Sequence, residues 1–410
     1  MSEWPIVQFQ SLAADVKSAI SKPYGSAITK EDYVPQGVPV VRGVNLRSGI
    51  FLDDEFVFIP DSKANQMPGA NLTSGDLVFT HRGTIGQVSM IPRYPRYPRY
   101  VLSTSQVKAR LNSKQALPEF YYYWFSSSDG QHELLGNVST VGVPGLGQPV
   151  ATIKSLKVPH PPLAIQRAIA DILGALDDNT TANDRTVAGY ERLLRAIFQE
   201  LEIDTEPDSR SHMRVGELIY FNPRLELPRT ADPVYLDMAA VSTTSARVQE
   251  WSRRAAKSGT RFANGDTVMA RITPCLENGK VGFIDFMAEG ETGIGSTEFI
   301  VMRARVGTPL HLPYFLARSE RFMSHAIRNM AGSSGRQRVS AAQLVDFPIA
   351  RPDEDRLATF GSTATVAFDH IRSLDAESRI LAQLRDTLLP KLMSGEIRVR
   401  DAEKLVGDAT

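Results

Sequence analysis

One junction occurs twice in this chain, and that constrains the fold more than any other feature. "LKVPHPPLAIQRAIADILGALD" (Leu156–Asp177) and "LVDFPIARPDEDRLATFGSTATVAF" (Leu344–Phe368) each read as a strand, a proline gate and a helix. Val150 and Val339, Pro159 and Pro348, and Arg167 and Arg356 each pair at a shift of 189. Proline ends a strand and disfavours helix before it, so the gate restarts the chain in a new direction.

The repeat extends upstream. "SGDLVFTHRGTIGQV" (Ser74–Val88) parallels "NGDTVMARITPCLENGKVG" (Asn264–Gly282); both predict a hairpin opened by a Gly-Asp turn. "LSTSQVKARL" (Leu102–Leu111) parallels "GSTEFIVMRA" (Gly295–Ala304) as a strand opened by Ser-Thr. "LPEFYYYWFSSSD" and "LPYFLARSERFMS" each place Leu-Pro at the start of a short aromatic helix, where proline is tolerated. A period this long is not a solenoid unit. It predicts an α+β chain of two similar α/β heads, each followed by a long helix.

Heptads mark those helices. Ile169, Leu176, Asn183, Tyr190 and Ile197 recur every seven residues, flanked by Ile172, Leu173, Val187, Leu193, Leu194 and Leu201. Phe360, Ala367, Leu374, Leu381 and Leu388 do the same, flanked by Leu357, Ala364, Ile371 and Leu392. Such a run indicates coiled coil. Each segment covers about 35–40 residues, or roughly 50–60 Å. The simplest pairing is antiparallel, giving a two-fold pseudo-symmetric strut between the heads. Asn183 at the seam has two readings: a polar register-setter, or the middle of a frayed or exposed stretch ("DDNTTANDRT").

The 410 residues suffice for several cores, and no apolar run is long enough to span a bilayer. The first residues, "MSEWPIVQFQ", lack the basic and apolar regions of a secretory signal. The single cysteine, Cys275, permits no internal disulfide and fits no metal spacing. A cytoplasmic location is expected. Net charge is zero, but residues 1–160 and 205–350 each carry +3, whereas 161–204 carry −4 and 351–410 carry −2. Imbalances of this size fit chance as well as design.

Two unlike heads at fixed separation suit a DNA duplex, whose grooves repeat every helical turn. The loop "IPRYPRYPRY" interleaves Arg93, Arg96 and Arg99 with Tyr94, Tyr97 and Tyr100. Guanidinium groups suit phosphate or guanine, and aromatic rings suit sugar or base; a solvated proline-rich loop fits the same residues. In "SSGRQRVS", Arg336, Gln337 and Arg338 stand beside a glycine, where Gln suits adenine and Arg suits guanine. A turn facing only water is the alternative. Arg82 and Thr84 of "THRGTIG", and Thr273 and Lys280 of "ITPCLENGK", complete the candidate DNA contacts. His81 reads as structural or solvated.

Catalytic signatures are missing. "HELLG" (His132–Gly136) lacks the second histidine of a zinc-protease helix. The sequence contains neither a phosphate-binding Gly-x-x-x-x-Gly-Lys-Ser/Thr loop nor a Gly-x-Ser-x-Gly elbow. "FNPR" (Phe221–Arg224) lacks the second proline and the aromatic of the Asn-Pro-Pro-aromatic motif of methyltransferases that act on amino groups. A non-catalytic chain is expected, with chemistry supplied by partners. A two-headed protein scaffold that never touches DNA, and an enzyme of unrecognised type, are the competing readings.

"ITPCLENGK", "GSTEFIVMR", "GRQRVSAAQLVDFPIARP" and "LRDTLLPKLMSGEIRV" resemble stretches of the specificity subunits of type I restriction–modification systems. "RGTIGQV" and "PPLAIQRAIADILGALDDNT" are similar to their first-half counterparts. Ile165, where the family often has Glu, and the Arg-Tyr loop depart from the pattern. The resemblance implies target recognition domains at 1–159 and 205–349, a central spacer helix at 160–204, and a distal spacer helix with C-terminal tail at 350–410. It implies a bipartite, asymmetric target with an unread gap set by the helices. It also implies two modification subunits that bind S-adenosylmethionine and methylate adenine, and restriction subunits that use ATP and magnesium. Partner helices would dock on the stalk formed around Ile169, Leu176, Tyr190, Ile197, Phe360, Leu374, Leu381 and Leu388. The tail after Leu392 would pack near the N-terminus.

Overall fold

The computed structural model describes residues 4–407 apart from 25–26, 47–50, 137, 140–144, 207–211, 227, 229, 249, 257 and 334. Ser334 of the "SSGRQRVS" loop therefore lies outside the described residues. The chain divides into two compact units, Met1–Thr180 with Arg379–Thr410, and Thr181–Ser378. Each unit holds one head and one part of each long helix.

In the first unit, one four-stranded sheet runs in the order Ile20–Ser21, Gln106–Ala109, Leu77–Thr80, Val88–Met90, all antiparallel. The second runs Val57–Ile59, Val38–Val41, Tyr100–Leu102, Asn71–Leu72, with its two middle strands parallel. The second unit repeats both orders. One sheet is Ile219–Phe221, Phe299–Ala304, Thr267–Ala270, Val281–Phe283. The other is Ser252–Arg253, Val234–Leu236, Gly293–Gly295, Thr260–Phe262, again with a parallel middle pair. The fold is therefore a duplicated α+β head.

The Gly-Asp turns fold as their sequence requires. Gly75 and Gly265 adopt φ of +80° and +87°, a region costly for a residue with a Cβ. The following Asp76 and Asp266 receive the backbone N–H groups of Thr73 (2.9 Å) and Ala263 (2.8 Å) on Oδ2. Both predicted hairpins are present: Leu77–Thr80 with Val88–Met90, and Thr267–Ala270 with Val281–Phe283. The Leu-Pro segments open helices Pro118–Ser126 and Leu312–Ala317.

A short antiparallel ladder closes each head where it meets its long helix. Ile6–Gln8 pairs with Lys157–Pro159, and His212–Arg214 with Pro348–Ala350. The register corrects the sequence pairing. Ile6 faces Pro159 and His212 faces Ala350, so Pro159 matches Ala350 and not Pro348. Val150 lies inside helix Pro149–Ser155, whereas Val339 precedes helix Ala341–Val345, so those two valines are not equivalent.

The central helix runs Leu163–Glu200 and the distal helix Glu354–Ser394. The polar stretch around Asn183 is helical throughout, which removes the frayed alternative. In the second unit the two helices are antiparallel. Asn183 donates to Ser378 Oγ (3.3 Å), Tyr190 meets His370 Nδ1 (2.7 Å), and Arg356 donates to the Glu200 carbonyl (3.3 Å). Phe360 is fully buried there, and Tyr190, Ile197 and Leu374 are half-buried at the seam. Leu194 is buried whereas Leu193 is exposed, so the flanking stripe runs through Leu194.

In the first unit Ile169, Leu176, Leu381 and Leu388 are buried in one core with Phe9, Phe79 and Phe125. Asp177 joins helix and head, accepting from Tyr123 Oη (2.9 Å) and from Arg385 Nη1 (2.8 Å). Gln166, fully buried, is satisfied at both ends of its amide. It takes the Leu117 N–H at 2.8 Å and donates to the carbonyls of Pro161 (2.8 Å) and Gln115 (3.1 Å). The tail helix Val399–Gly407 adds Ala402 to the same core, against which Trp4 also packs. Among the described residues, no helix is long and apolar enough to cross a membrane.

Candidate nucleic-acid interface

The duplication brings the same two segments together in each head. In the first, the His81 N–H donates to Ser105 O (3.0 Å), and His81 O accepts from Leu146 N (3.0 Å). In the second, the Arg271 N–H donates to Glu298 O (2.9 Å), and Arg271 O accepts from Val339 N (3.0 Å). One residue further on, Arg82 bridges to Gly145 and Ile272 bridges to Arg338. His81 thus matches Arg271, Ser105 matches Glu298, and Gly145 matches Arg338. These twin corners hold six of the candidate contacts named from the sequence: Arg82 and Thr84 in one, and Thr273, Arg336, Gln337 and Arg338 in the other.

The corners differ in charge chemistry. Arg82 and Thr84 are exposed, and Arg82 has no ion-pair partner among the described residues. His81 is buried, with Nε2 on the Thr104 carbonyl at 3.1 Å, and burial lowers its pKa; its place is structural. In the second head each nitrogen of the Arg338 guanidinium has a partner. Nε and Nη2 reach Glu298 at 2.9 and 2.7 Å, and Nη1 reaches the Arg336 carbonyl at 3.1 Å. Arg338 in turn holds the Glu298 carboxyl below the usual range. Gln337 is pinned by its backbone, its N–H donating to Thr273 Oγ1 (3.2 Å) and its carbonyl accepting from Thr273 N (3.1 Å). Arg336 is left exposed at the tip. Lys280 Nζ donates to the Met238 carbonyl at 2.7 Å, which ties it to the head.

The Arg-Tyr loop is divided. Tyr97 packs edge-on against Phe56, Phe58 and Tyr100, so its ring belongs to an aromatic cluster of the head. Buried Tyr100 donates to Asp53 Oδ1 (2.6 Å), and the other Asp53 oxygen accepts from Arg96 N (2.7 Å). Arg99 spans Asp61 (2.5 Å) and Asn65 (2.7 Å). Arg93 and Arg96 stay exposed, each lying near the ring of the tyrosine that follows it. Cations already paired within the head have less to give to phosphate than Arg82, Arg93, Arg96 and Arg336.

Three groups that matter here were not singled out in the sequence: Glu298, Asp53 and the twin aspartates Asp76 and Asp266. Glu298 lies 40 residues from Arg338, and no local pattern links them. The aspartates had a visible signal, since each half pairs a Gly-Asp turn with an arginine at the end of the Ser-Thr strand. Among the described residues, no cluster of His, Cys, Asp or Glu is arranged to hold a metal.

Residues 23–187 match the family described as type I restriction modification DNA specificity domain. The match covers most of the first head and the start of the central helix. Two curated relatives agree, both from Escherichia coli. The type I restriction enzyme EcoEI specificity subunit is 27% identical over 198 residues, covering 44% of this chain and 33% of that one. The EcoAI specificity subunit is 26% identical over 214 residues, covering 48% and 36%. Each match spans about a third of the relative's length. The crystal structure of the type-I restriction-modification system S subunit from M. genitalium resembles the chain with a TM-score of 0.58. It is 13% identical and covers 95% of this chain and 96% of that one, a likeness of fold. The likeness to type I specificity subunits is thus present in the sequence of residues 23–187 and in the fold of the chain, and the second head repeats the strand order of the first.

Proposed function

We propose that this chain is the non-catalytic, sequence-reading subunit of a type I restriction–modification complex. Each head reads a few base pairs in one half of a bipartite, asymmetric DNA target. The paired helices set the unread gap, and they recruit two modification subunits that carry S-adenosylmethionine and methylate adenine. Restriction subunits using ATP and magnesium complete the cleaving form. Such a complex works in the cytoplasm, where the DNA is.

The observation that carries this reading is the twin corner: one backbone arrangement, built twice, with different side chains on it. A duplicated scaffold with divergent tips is what two unlike half-sites require. Exposed Arg82 and Arg336, one at each twin corner and neither in an ion pair among the described residues, offer donors for phosphate or guanine.

The test is DNA binding by the complex of this chain with its modification subunits, measured against unrelated competitor DNA at rising salt. Specific binding that falls steeply with salt supports the reading. A complex that assembles but binds every duplex equally, or none, overturns it in favour of a scaffold.

A further inference from the structure

We infer that Glu298 is a specificity-determining positioning residue of the second head: with Arg338 and Thr273 it clamps the Arg336–Gln337 tip in reading geometry without touching DNA itself. The inference rests on the DNA-reading function proposed above.

Three contacts make the clamp. The Glu298 carboxylate receives Arg338 as a two-point fork. The remaining arm of the same guanidinium holds the Arg336 carbonyl at 3.1 Å. Thr273 fixes Gln337 from the other side through both backbone groups. With the Arg336 N–H also on the Ser333 carbonyl (3.0 Å), the backbone is fastened before and after the Arg336 side chain, which is left exposed. Three of the five N–H groups of Arg338, one on each nitrogen, are already committed within the head, whereas Arg336 keeps its side chain free for a base. The Arg338 charge is also neutralised by Glu298, which suits a brace rather than a phosphate contact.

The first head supplies an internal control. At the equivalent corner Ser105 stands where Glu298 does, and Gly145 where Arg338 does. Serine and glycine form no such fork, and Arg82 sits on the strand end itself. Loss of Glu298 should therefore affect one half-site and spare the other. Ordering a mobile side chain or tip before binding is worth about 2- to 10-fold in affinity.

The experiment uses the complex of the full chain with its modification subunits, carrying Glu298→Gln, Arg338→Gln, the exchange Glu298→Arg with Arg338→Glu, or no change. Binding is measured on the cognate duplex and on duplexes altered at single base pairs in each half-site, over a range of salt. The clamp predicts that Glu298→Gln lowers discrimination about 2- to 10-fold in the second head's half-site only. The salt slope should be unchanged, Arg338→Gln should do the same, and the exchange should restore discrimination. Unchanged discrimination in both half-sites overturns the clamp, as does a uniform gain in affinity on every duplex, which would make Glu298 a mere repeller of phosphate. If the unaltered complex shows no sequence preference, it is the DNA-reading function that fails. Folding of each variant is checked by its retained binding at the first half-site.

Discussion

Asp266, with no exposed surface, receives both Nε and Nη2 of Arg303 at 2.6 and 2.7 Å. Asp76 and Arg110 repeat the fork in the first head at 2.7 and 2.6 Å. Each carboxylate also accepts a backbone N–H of its own Gly-Asp turn, so one buried charge locks a turn to the neighbouring strand. Burial outweighs the arginine and leaves the Asp266 pKa above the ordinary carboxyl value. The pair therefore matters mainly through what breaking it exposes.

Asp266→Ala strips Arg303 of its partner and frees the turn. The expected loss is about 3 kcal/mol of unfolding free energy, read as a lower denaturant midpoint. Asp76→Ala should behave alike in the first head. A loss below about 0.5 kcal/mol at both sites would contradict the role assigned to the forks.

His311 provides a pH test. It is 3% exposed and packs against the rings of Phe368 (4.2 Å) and Phe283 (4.7 Å). Burial brings its pKa down to about 4, against a weaker opposite pull from Asp369. The unfolded chain takes up a proton near pH 6.5 that the folded chain refuses. Stability from this residue is therefore full above pH 6.5 and is lost as pH falls towards 4. Between pH 7 and 5 the loss is about 2 kcal/mol. Chemical unfolding at both pH values should show this in the native chain and not in His311→Leu.

Arg82 and Arg336 stand at matching corners, so their losses should mirror each other. Arg82→Ala should relax base choice in the first head's half-site and Arg336→Ala in the second's, by about 1–3 kcal/mol if each makes a bidentate base contact. A pure phosphate contact would instead weaken all sequences alike and reduce the salt slope by about one. Competition binding on single-base variants separates the two. Arg99→Ala, which loses Asp61 and Asn65, should change neither.

The helices carry the geometric part of the account. Deleting seven residues from the central helix removes two turns without rotating the seam. The unread gap should then change, or activity should be lost. Methylation of the original motif at the original spacing would contradict the gap-setting role.

Much of this fold was legible because its signals are local. Gly-Asp turns, Ser-Thr strand openings and Leu-Pro helix starts each need only a few neighbouring residues, and they recur in both halves. The heptads placed Ile169, Leu176, Phe360, Leu381 and Leu388 in buried seams for the same reason. What failed was alignment across loops. Val150 and Val339 share a shift of 189, yet the segments after the twin corners differ in length, so one valine is helical and the other is not. At the candidate interface, residue type identified the arginines but not their partners. Arg99 and Arg338 look as free as Arg82 and Arg336 in one dimension. Asp61 and Glu298 reach them only through the fold.

Mapping methylated adenines in cells that express this chain with its modification subunits tests the central claim most directly. The account predicts one asymmetric motif in two specified halves, separated by a gap of fixed length, that disappears when this chain is removed. A contiguous or symmetric motif, or methylation that persists without the chain, would contradict it.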